Sequence, residues 1–140
     1  MYYTDSIDSL SRLIRQYKKD KLRKSGVNLT VEQWTILEQL KSTPGITQIA
    51  LSEFVDKDPA AVMRTLNLLE LRGLAQRTNP PGNLRNHSLF LTDSGRAMLH
   101  KLWPVSIDIR AEGNRGIDAR ELEEFIRILE KMRQNFVPKK

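Results

Sequence analysis

The sequence of 140 residues predicts a mainly α fold (α+β) in which one β-hairpin accompanies a set of helices. Apolar residues recur every three or four positions along most of the chain, as they do on one face of a helix. Aromatic residues make up only 6% of the chain and alternating apolar runs are rare, so helices should outnumber strands. The stretch 58–85 is typical of a helix, a turn, a strand and a basic loop in that order.

Composition restricts the chemistry that the chain can perform. Cysteine is absent, which excludes disulfides, thiolate metal sites and thiol nucleophiles. The formal charge of +6 favours a polyanionic partner such as nucleic acid. We find no apolar run long enough to span a bilayer and no apolar core of a signal peptide, so we expect a cytoplasmic protein without a membrane partner.

The first 25 residues predict a helix with an apolar seam, because their apolar residues are spaced alternately four and three apart. The seam consists of Tyr3, Ile7, Leu10, Ile14 and Tyr17. The other side is basic, which is typical of a solvated face or, alternatively, of phosphate contacts. Gly26 should end the helix, and the seam requires a partner in the same chain or in a second copy.

Two shorter helices should follow. Thr30 and Gln33 have the spacing of a capping box, which predicts a helix start there. The buried stripe of this helix should contain Trp34, Leu37 and Leu40. After a turn at Pro44-Gly45, Thr47 should cap a third helix over 48–55. We expect Ile49, Ala50 and Phe54 to point inward from that helix.

A fourth helix is predicted over 58–72. Asp58 is a good N-cap, Pro59 suits the first helical position and Gly73 suits the end. Its apolar stripe consists of Val62, Leu66 and Leu69. The residues of this helix that lie off the stripe include Ala60, Ala61, Met63, Arg64 and Asn67. Small residues together with an Arg and an Asn suit a DNA major groove, because the backbone can come close while polar tips contact base edges.

A β-hairpin should follow, with strands at 74–78 and 87–91 around the loop 79–86. The loop contains a turn at 79–82 and the basic residue Arg85. Two short helices followed by a hairpin with a basic tip form a winged helix-turn-helix. Such a tip can enter a minor groove, where the potential is most negative.

The C-terminal part should be helical. Thr92 and Asp93 open a helix that Pro104 should kink or break, and Asp118 and Glu121 form a second capping box. The last helix has a wide apolar stripe, which consists of Leu122, Phe125, Ile126, Leu129, Met132 and Phe136. We therefore predict a single domain over 1–140, with a winged helix-turn-helix at 29–92 and helical dimerisation regions at 1–25 and 93–137.

Four segments together resemble the MarR family of winged-helix transcriptional regulators. They are Leu29-Thr30 with Gln33-Trp34 and Leu37, Thr47-Gln48-Ile49-Ala50-Leu51, Leu69-Glu70-Leu71-Arg72-Gly73-Leu74 with Arg77, and Leu91-Thr92-Asp93-Ser94-Gly95-Arg96. The resemblance implies a homodimer held by N- and C-terminal helices, with 58–72 as the recognition helix. The family's wing usually carries Asp-x-Arg, whereas this chain has Asn83-Leu84-Arg85, which keeps the Arg and replaces the acid.

The predicted function is that of a sequence-specific regulator that binds double-stranded DNA as a homodimer on a pseudo-palindromic operator. We expect a repressor relieved by a small aromatic or anionic effector, because family members often respond to such ligands; no cofactor or metal is predicted. Predicted DNA contacts are Thr47, Gln48, Ala60, Ala61, Met63, Arg64, Thr65, Asn67, Arg77 and Arg85. Predicted dimer contacts are Ile7, Leu10, Ile14, Leu122, Ile126, Leu129 and Phe136.

Two alternative functions are less well supported by the residues. An enzyme is disfavoured, because the two histidines, His87 and His100, have no metal-ligand spacing and no Gly-rich phosphate loop is present. A winged helix used only for protein interaction keeps the fold and the dimer but leaves the polar face of the fourth helix without a role. The basic wing and the absence of acids from that face favour DNA binding.

Overall fold

The computed structural model describes residues 2–55, 58–78 and 87–138. These residues form helices and three short strands, in the predicted mainly α arrangement. In chain order the elements are α1 (Tyr3–Ser25), α2 (Val31–Ser42), β1 (Ile46–Thr47), α3 (Gln48–Phe54), α4 (Pro59–Leu71), β2 (Ala75–Thr78), β3 (Ser88–Leu91), α5 (Asp93–Lys101), α6 (Trp103–Gly113) and α7 (Ala119–Phe136). The chain divides into two compact units, Met1–Val105 and Ser106–Lys140.

Helix α1 contacts the rest of its unit near its C-terminal end. Leu22 is buried, and Lys18 Nζ lies 5.8 Å from the centroid of the Trp34 ring. Burial lowers the pKa of Lys18, and Glu38 opposes that shift. The helix ends as predicted at Gly26, which has a φ of 75°. The first four residues of the predicted seam stay exposed in the single chain.

Helix α2 forms the centre of the core. The predicted capping box is confirmed, since Thr30 Oγ1 accepts from the Gln33 N–H and Gln33 Oε1 accepts from the Thr30 N–H, both at 3.0 Å. Trp34 is buried as predicted, and its indole N–H donates to Glu38 Oε1 at 3.2 Å. Leu37 and Leu40 are fully enclosed, which confirms the stripe.

The predicted orientation of α3 was wrong. Thr47 caps the helix as expected, with Oγ1 accepting from the Ala50 N–H at 3.2 Å. However, Ile49 is 68% exposed and Phe54 is 46% exposed, and Leu51 is the fully buried residue. Ala50 is only half-buried. The helix has seven residues, so its own periodicity is weak, and its rotation follows from the strand that leads directly into it.

That strand, β1, was not predicted. It pairs antiparallel with β3, with Ile46 opposite Leu89, so the sheet has the order β1-β3-β2. Gly45 precedes it with a φ of 83°, and its N–H donates to the Leu89 carbonyl at 2.9 Å. A strand of two residues has no alternation for sequence analysis to detect.

The predicted hairpin is confirmed in its strands. Ala75 pairs with Leu91 and Arg77 pairs with Leu89, and each strand begins one residue later than expected. Leu89 and Leu91 are buried, so the inner face of the hairpin belongs to the core. The predicted turn at 79–82 and the loop that holds Arg85 lie outside the described residues.

Helix α5 is tied to the hairpin by its N-cap, Thr92. Thr92 Oγ1 accepts from the Gly95 N–H at 3.0 Å and donates to the Gly73 carbonyl at 2.6 Å. The Thr92 N–H donates to the Leu74 carbonyl at 3.2 Å. These bonds join the start of α5 to the segment between α4 and β2.

The predicted break near Pro104 is confirmed. Helix α5 ends at Lys101 and α6 begins at Trp103, so the proline occupies the second position of a new helix, where its missing N–H costs nothing. Leu102, at the junction, is fully buried.

In the second unit, α7 begins with the predicted capping box, since Asp118 Oδ1 accepts from the Glu121 N–H at 2.8 Å. No residue of α7 is buried, although its apolar stripe is wide. Among the described residues, no helix is both long enough and apolar enough to cross a membrane.

Gly95 is required where α5 crosses the base of the hairpin. A Cβ at this position would lie 2.2 Å from the Leu74 carbonyl oxygen and 2.7 Å from Leu91 Cδ1. Both atoms belong to packed parts of the hairpin, so the backbone would have to move to accommodate a methyl group.

We therefore expect Gly95→Ala to lower the free energy of unfolding by about 1–3 kcal/mol in a urea titration. Gly113→Ala is the matched control, because nothing lies within 4 Å of its Cβ position. Alanine favours a helix over glycine, so the control should be unchanged or more stable by up to about 1 kcal/mol. Equal stability of the two variants would contradict the close approach at Gly95.

Candidate nucleic-acid interface

Helix α4 is formed by the local signals that the sequence contains. Asp58 Oδ1 accepts from the Ala61 N–H at 2.9 Å, which satisfies one of the free N–H groups at the helix start. Pro59 occupies the first helical position, and Gly73 follows the helix with a φ of 73°. Each of these predictions is confirmed.

The rotation of α4 about its axis is set by its apolar stripe. All three predicted residues of the stripe, Val62, Leu66 and Leu69, are fully enclosed. Ala60, Arg64 and Asn67 lie four and three positions apart and are all exposed. The helix therefore presents a face on which a small residue, an Arg and an Asn follow one another over two turns.

The other predicted contacts on and before α4 are half-buried. This group consists of Thr47, Gln48, Ala61, Met63 and Thr65. Thr65 Oγ1 donates to the Ala61 carbonyl at 3.1 Å, and Thr47 Oγ1 is the cap of α3. Both hydroxyls thus already make bonds within the protein. A phosphate oxygen accepts hydrogen bonds, so the Thr47 hydroxyl, which accepts from Ala50, can still donate to it, whereas the Thr65 hydroxyl would first have to leave the Ala61 carbonyl.

Arg77 makes two contacts that join strand β2 to helix α4. Its Nε donates to Glu70 Oε1 at 2.5 Å, and its Nη2 donates to Asn67 Oδ1 at 2.5 Å. The Arg77 side chain is 17% exposed and the Glu70 side chain 32%, so this ion pair is largely shielded from solvent. Arg77 and Asn67 were each predicted to contact DNA, but the contact between them was not predicted.

Glu70 was missed as a site residue, and its role follows once the buried face of the hairpin is known. Arg77 has the same parity along β2 as the buried residue Ala75, so it must lie on the inner face of the hairpin. An arginine on an inner face requires a partner for its charge. Glu70, on the last turn of the preceding helix, is an acid within reach across the Gly73 turn.

A basic groove lies between α1 and the start of α2. Its volume is about 1020 Å³, and it is lined by the apolar residues Leu22, Leu29 and Val31 and by four basic residues, Arg12, Arg15, Lys19 and Arg23, against two acids, Asp20 and Glu32. Trp34 and Trp103 do not line this groove and make other contacts. Trp34 is stacked under Lys18, and Lys41 Nζ lies 5.9 Å from the ring centroid of Trp103.

The predicted dimer residues are accessible in each unit. On α1, Ile7, Leu10 and Ile14 are exposed, and on α7, Ile126 and Phe136 are exposed while Leu122 and Leu129 are half-buried. Within the described ranges, no group of three or more His, Asp or Glu side chains could hold a metal ion.

The chain is similar to known proteins in both sequence and fold. Residues 29–87 match the model of the MarR family. A crystal structure of a MarR-family transcriptional regulator from Silicibacter pomeroyi is 22% identical, with a TM-score of 0.85 over 99% of this chain and 92% of that chain. Wild-type MarR from E. coli in its apo form is 22% identical, with a TM-score of 0.75 over 99% and 98%.

The crystal structure of the transcriptional regulator SlyA is 19% identical, with a TM-score of 0.79 over 96% of this chain and 94% of that chain. At these identities the likeness concerns the fold. The helix order and the three-stranded sheet are therefore those of a winged helix, which confirms the predicted fold; strand β1 of that sheet was not predicted.

The contacts of Arg77 lead to a stability prediction. Glu70→Gln keeps the shape of the side chain but leaves the charge of a shielded arginine uncompensated, so we expect a loss of about 1–3 kcal/mol in the free energy of unfolding. The control is Glu112→Gln, because the Glu112–Arg115 pair has side chains that are 46% and 77% exposed. Its loss should stay within about 0.5 kcal/mol. Losses of equal size would show that the Glu70–Arg77 pair is no more than a surface contact.

Proposed function

We propose that this chain, which belongs to the MarR family of winged-helix transcriptional regulators, is a cytoplasmic homodimer that binds a pseudo-palindromic DNA operator sequence-specifically. The observation that carries the proposal is the exposed face of α4. Ala60, Arg64 and Asn67 lie along it, and the first turn of the helix contains no acid. Such a face suits the phosphate-lined major groove in both shape and charge.

The dimensions of α4 support the assignment of roles. A helix of 13 residues is about 20 Å long and fits a groove about 12 Å wide. Arg64 and Asn67 would contact base edges, where an arginine can donate two hydrogen bonds to guanine. The remaining predicted contacts on the helix, Ala60, Ala61 and Met63, would allow close approach or touch a thymine methyl group.

Phosphate contacts would set the register of the helix in the groove. Thr47, Gln48 and Thr65 stay predictions for this role. Arg77, which the sequence also predicts at the DNA, is bound within the protein to Glu70 and Asn67. Arg85, on the loop outside the described residues, would enter the minor groove. Asn83 replaces the usual wing acid and can offer a neutral hydrogen bond in its place.

A homodimer would cover apolar residues that are exposed in the single chain. The seam of α1 and the stripe of α7 are each too apolar to remain in water along their whole length. A two-fold interface would bury both and would present two recognition helices about 34 Å apart. Such a spacing requires two half-sites on successive turns of the duplex.

Relief of repression by a small ligand is the regulatory part of the proposal. The groove between α1 and α2 supports an anionic aromatic effector, because Arg12, Arg15 and Lys19 line it together with apolar side chains. Such a ligand would change DNA affinity only if it bound one arrangement of the dimer more tightly than another.

Selection of duplexes from a random pool tests the proposed function. The parent protein should enrich a motif with two related half-sites. Arg64→Ala should weaken binding to that motif by about 1–3 kcal/mol and relax the preference at one position in each half-site. Arg120→Ala removes the same charge from α7 and should keep the preference. A parent that enriches no motif, or an Arg64→Ala protein with the parental preference, would contradict this assignment.

Light scattering tests the dimer independently of DNA. We expect the parent to have twice the chain mass of 16.2 kDa. Ile126→Glu should shift it toward the monomer, because a carboxylate would be desolvated in an apolar interface. Arg120→Glu introduces the same side chain on α7 outside the apolar stripe and should leave the mass unchanged. A parent that is monomeric at concentrations where it binds DNA would refute the two-fold arrangement.

A further inference from the structure

The contact between Arg77 and Asn67 determines which end of the Asn67 amide is free. A guanidinium group has only donors, so the amide oxygen must be the atom that faces it. Arg77 Nη2 donates to Asn67 Oδ1 at 2.5 Å, which fits that requirement. The amide nitrogen of Asn67 is therefore the end that remains for a partner outside the protein.

The guanidinium itself is held in place from two sides. Its stem starts on the inner face of the hairpin, where Arg77 pairs with the buried Leu89. Its Nε donates to Glu70 Oε1 at 2.5 Å, one turn along α4 from Asn67. Because the planar group is bound to Glu70 through one nitrogen, its second nitrogen has a fixed direction toward Asn67.

We propose that Arg77 is a positioning residue for DNA specificity, which fixes Asn67 as a hydrogen-bond donor toward the base edge that it meets. The inference rests on the proposed function, since it requires α4 to lie in the major groove. Asn67 is exposed on the same face as Arg64, so both side chains would present donors to the bases. Arg77 acts in this scheme without touching a base.

The hydrogen-bonding groups of the bases determine which base a donor at Asn67 would favour. Guanine N7 and O6 and thymine O4 are acceptors in the major groove, whereas cytosine presents the N4 amino group. Adenine N7 can also accept from the amide nitrogen, but the bidentate pair with adenine needs the amide oxygen for the N6 amino group, and Arg77 already occupies one side of that oxygen. The position that Asn67 contacts should therefore favour guanine or thymine and disfavour cytosine most.

A direct phosphate contact by Arg77 makes a different prediction. Loss of a phosphate contact weakens binding to all sequences alike and reduces the slope of log K against log salt by about one. Loss of a positioning contact changes the relative affinities at one base position. Base preference and salt slope thus separate the two roles.

The first experiment compares selected motifs. Asn67→Ala identifies the position in each half-site whose preference depends on Asn67. Arg77→Lys keeps the charge but has a single nitrogen in place of Nε, which binds Glu70, and Nη2, which binds Asn67. The Asn67 amide is then free to rotate and exchange its oxygen and nitrogen. At that same position we expect the discrimination against cytosine and adenine to fall about five- to tenfold. Arg72→Lys is the matched control, because Arg72 contacts Gln33 and not Asn67.

The second experiment replaces the hydrogen-bond donor at position 67 with an acceptor. Its outcome does not depend on whether Arg77→Lys is stable. In Asn67→Asp, Arg77 can hold one carboxylate oxygen while the other faces the base as an acceptor. Overall affinity should fall because a negative charge enters the groove. The relative affinity for cytosine at the identified position should nevertheless rise about tenfold, since its N4 amino group is a donor.

The inference is overturned if Arg77→Lys is folded and keeps the parental preference, or if Arg77→Ala, which removes the charge, weakens all duplexes equally with a smaller salt slope. It is also overturned if Asn67→Asp does not raise the rank of cytosine. A parent that selects no motif at all refutes the proposed function instead, so the two failures can be told apart.

Discussion

Burial of one apolar stripe on α4 is the constraint on which the candidate interface depends. Val62, Leu66 and Leu69 are fully enclosed, and each contributes about 1.5–3 kcal/mol by leaving water. With three residues held in the core over two turns, the helix cannot rotate without exposing at least one of them. The exposed face, with Arg64 and Asn67, is therefore a consequence of core packing rather than of the polar residues themselves.

The hairpin extends this constraint to the residues after α4. Thr92 binds the Gly73 and Leu74 carbonyls, and Gly95 allows α5 to lie directly against the Leu74 backbone. Strand β2 is thus held at its start, and Arg77, two residues into it, meets α4 from the side. A single charged residue on an otherwise apolar inner face has few stable arrangements, and the one observed uses both Glu70 and Asn67.

DNA binding and the role of Arg77 are proposed from different features of the structure. The DNA-binding proposal depends on which face of α4 is exposed and on the match of residues 29–87 to the MarR family model. The role of Arg77 depends on hydrogen-bond polarity, which distinguishes an amide oxygen from an amide nitrogen across a few ångströms. The apolar residues left exposed on α1 and α7 enter the DNA-binding proposal through the proposed dimer, and the role of Arg77 does not depend on them.

Local signals were sufficient for most of the helices. The caps Thr30, Asp58, Thr92 and Asp118 each act within three residues, and the breaks at Gly26, Gly73 and Pro104 depend on single residues, so the sequence alone determined these boundaries. The hairpin strands could be predicted for the same reason, because their apolar residues alternate.

Other features required contacts between residues that are far apart in the chain. Strand β1 exists because Ile46 pairs with Leu89, and that pairing turns Leu51 of α3 inward in place of Ile49 and Phe54. The contact of Arg77 with Asn67 spans ten residues and a turn. Neither a two-residue strand nor a seven-residue helix has enough periodicity to specify its own orientation, so only the folded chain could decide these positions.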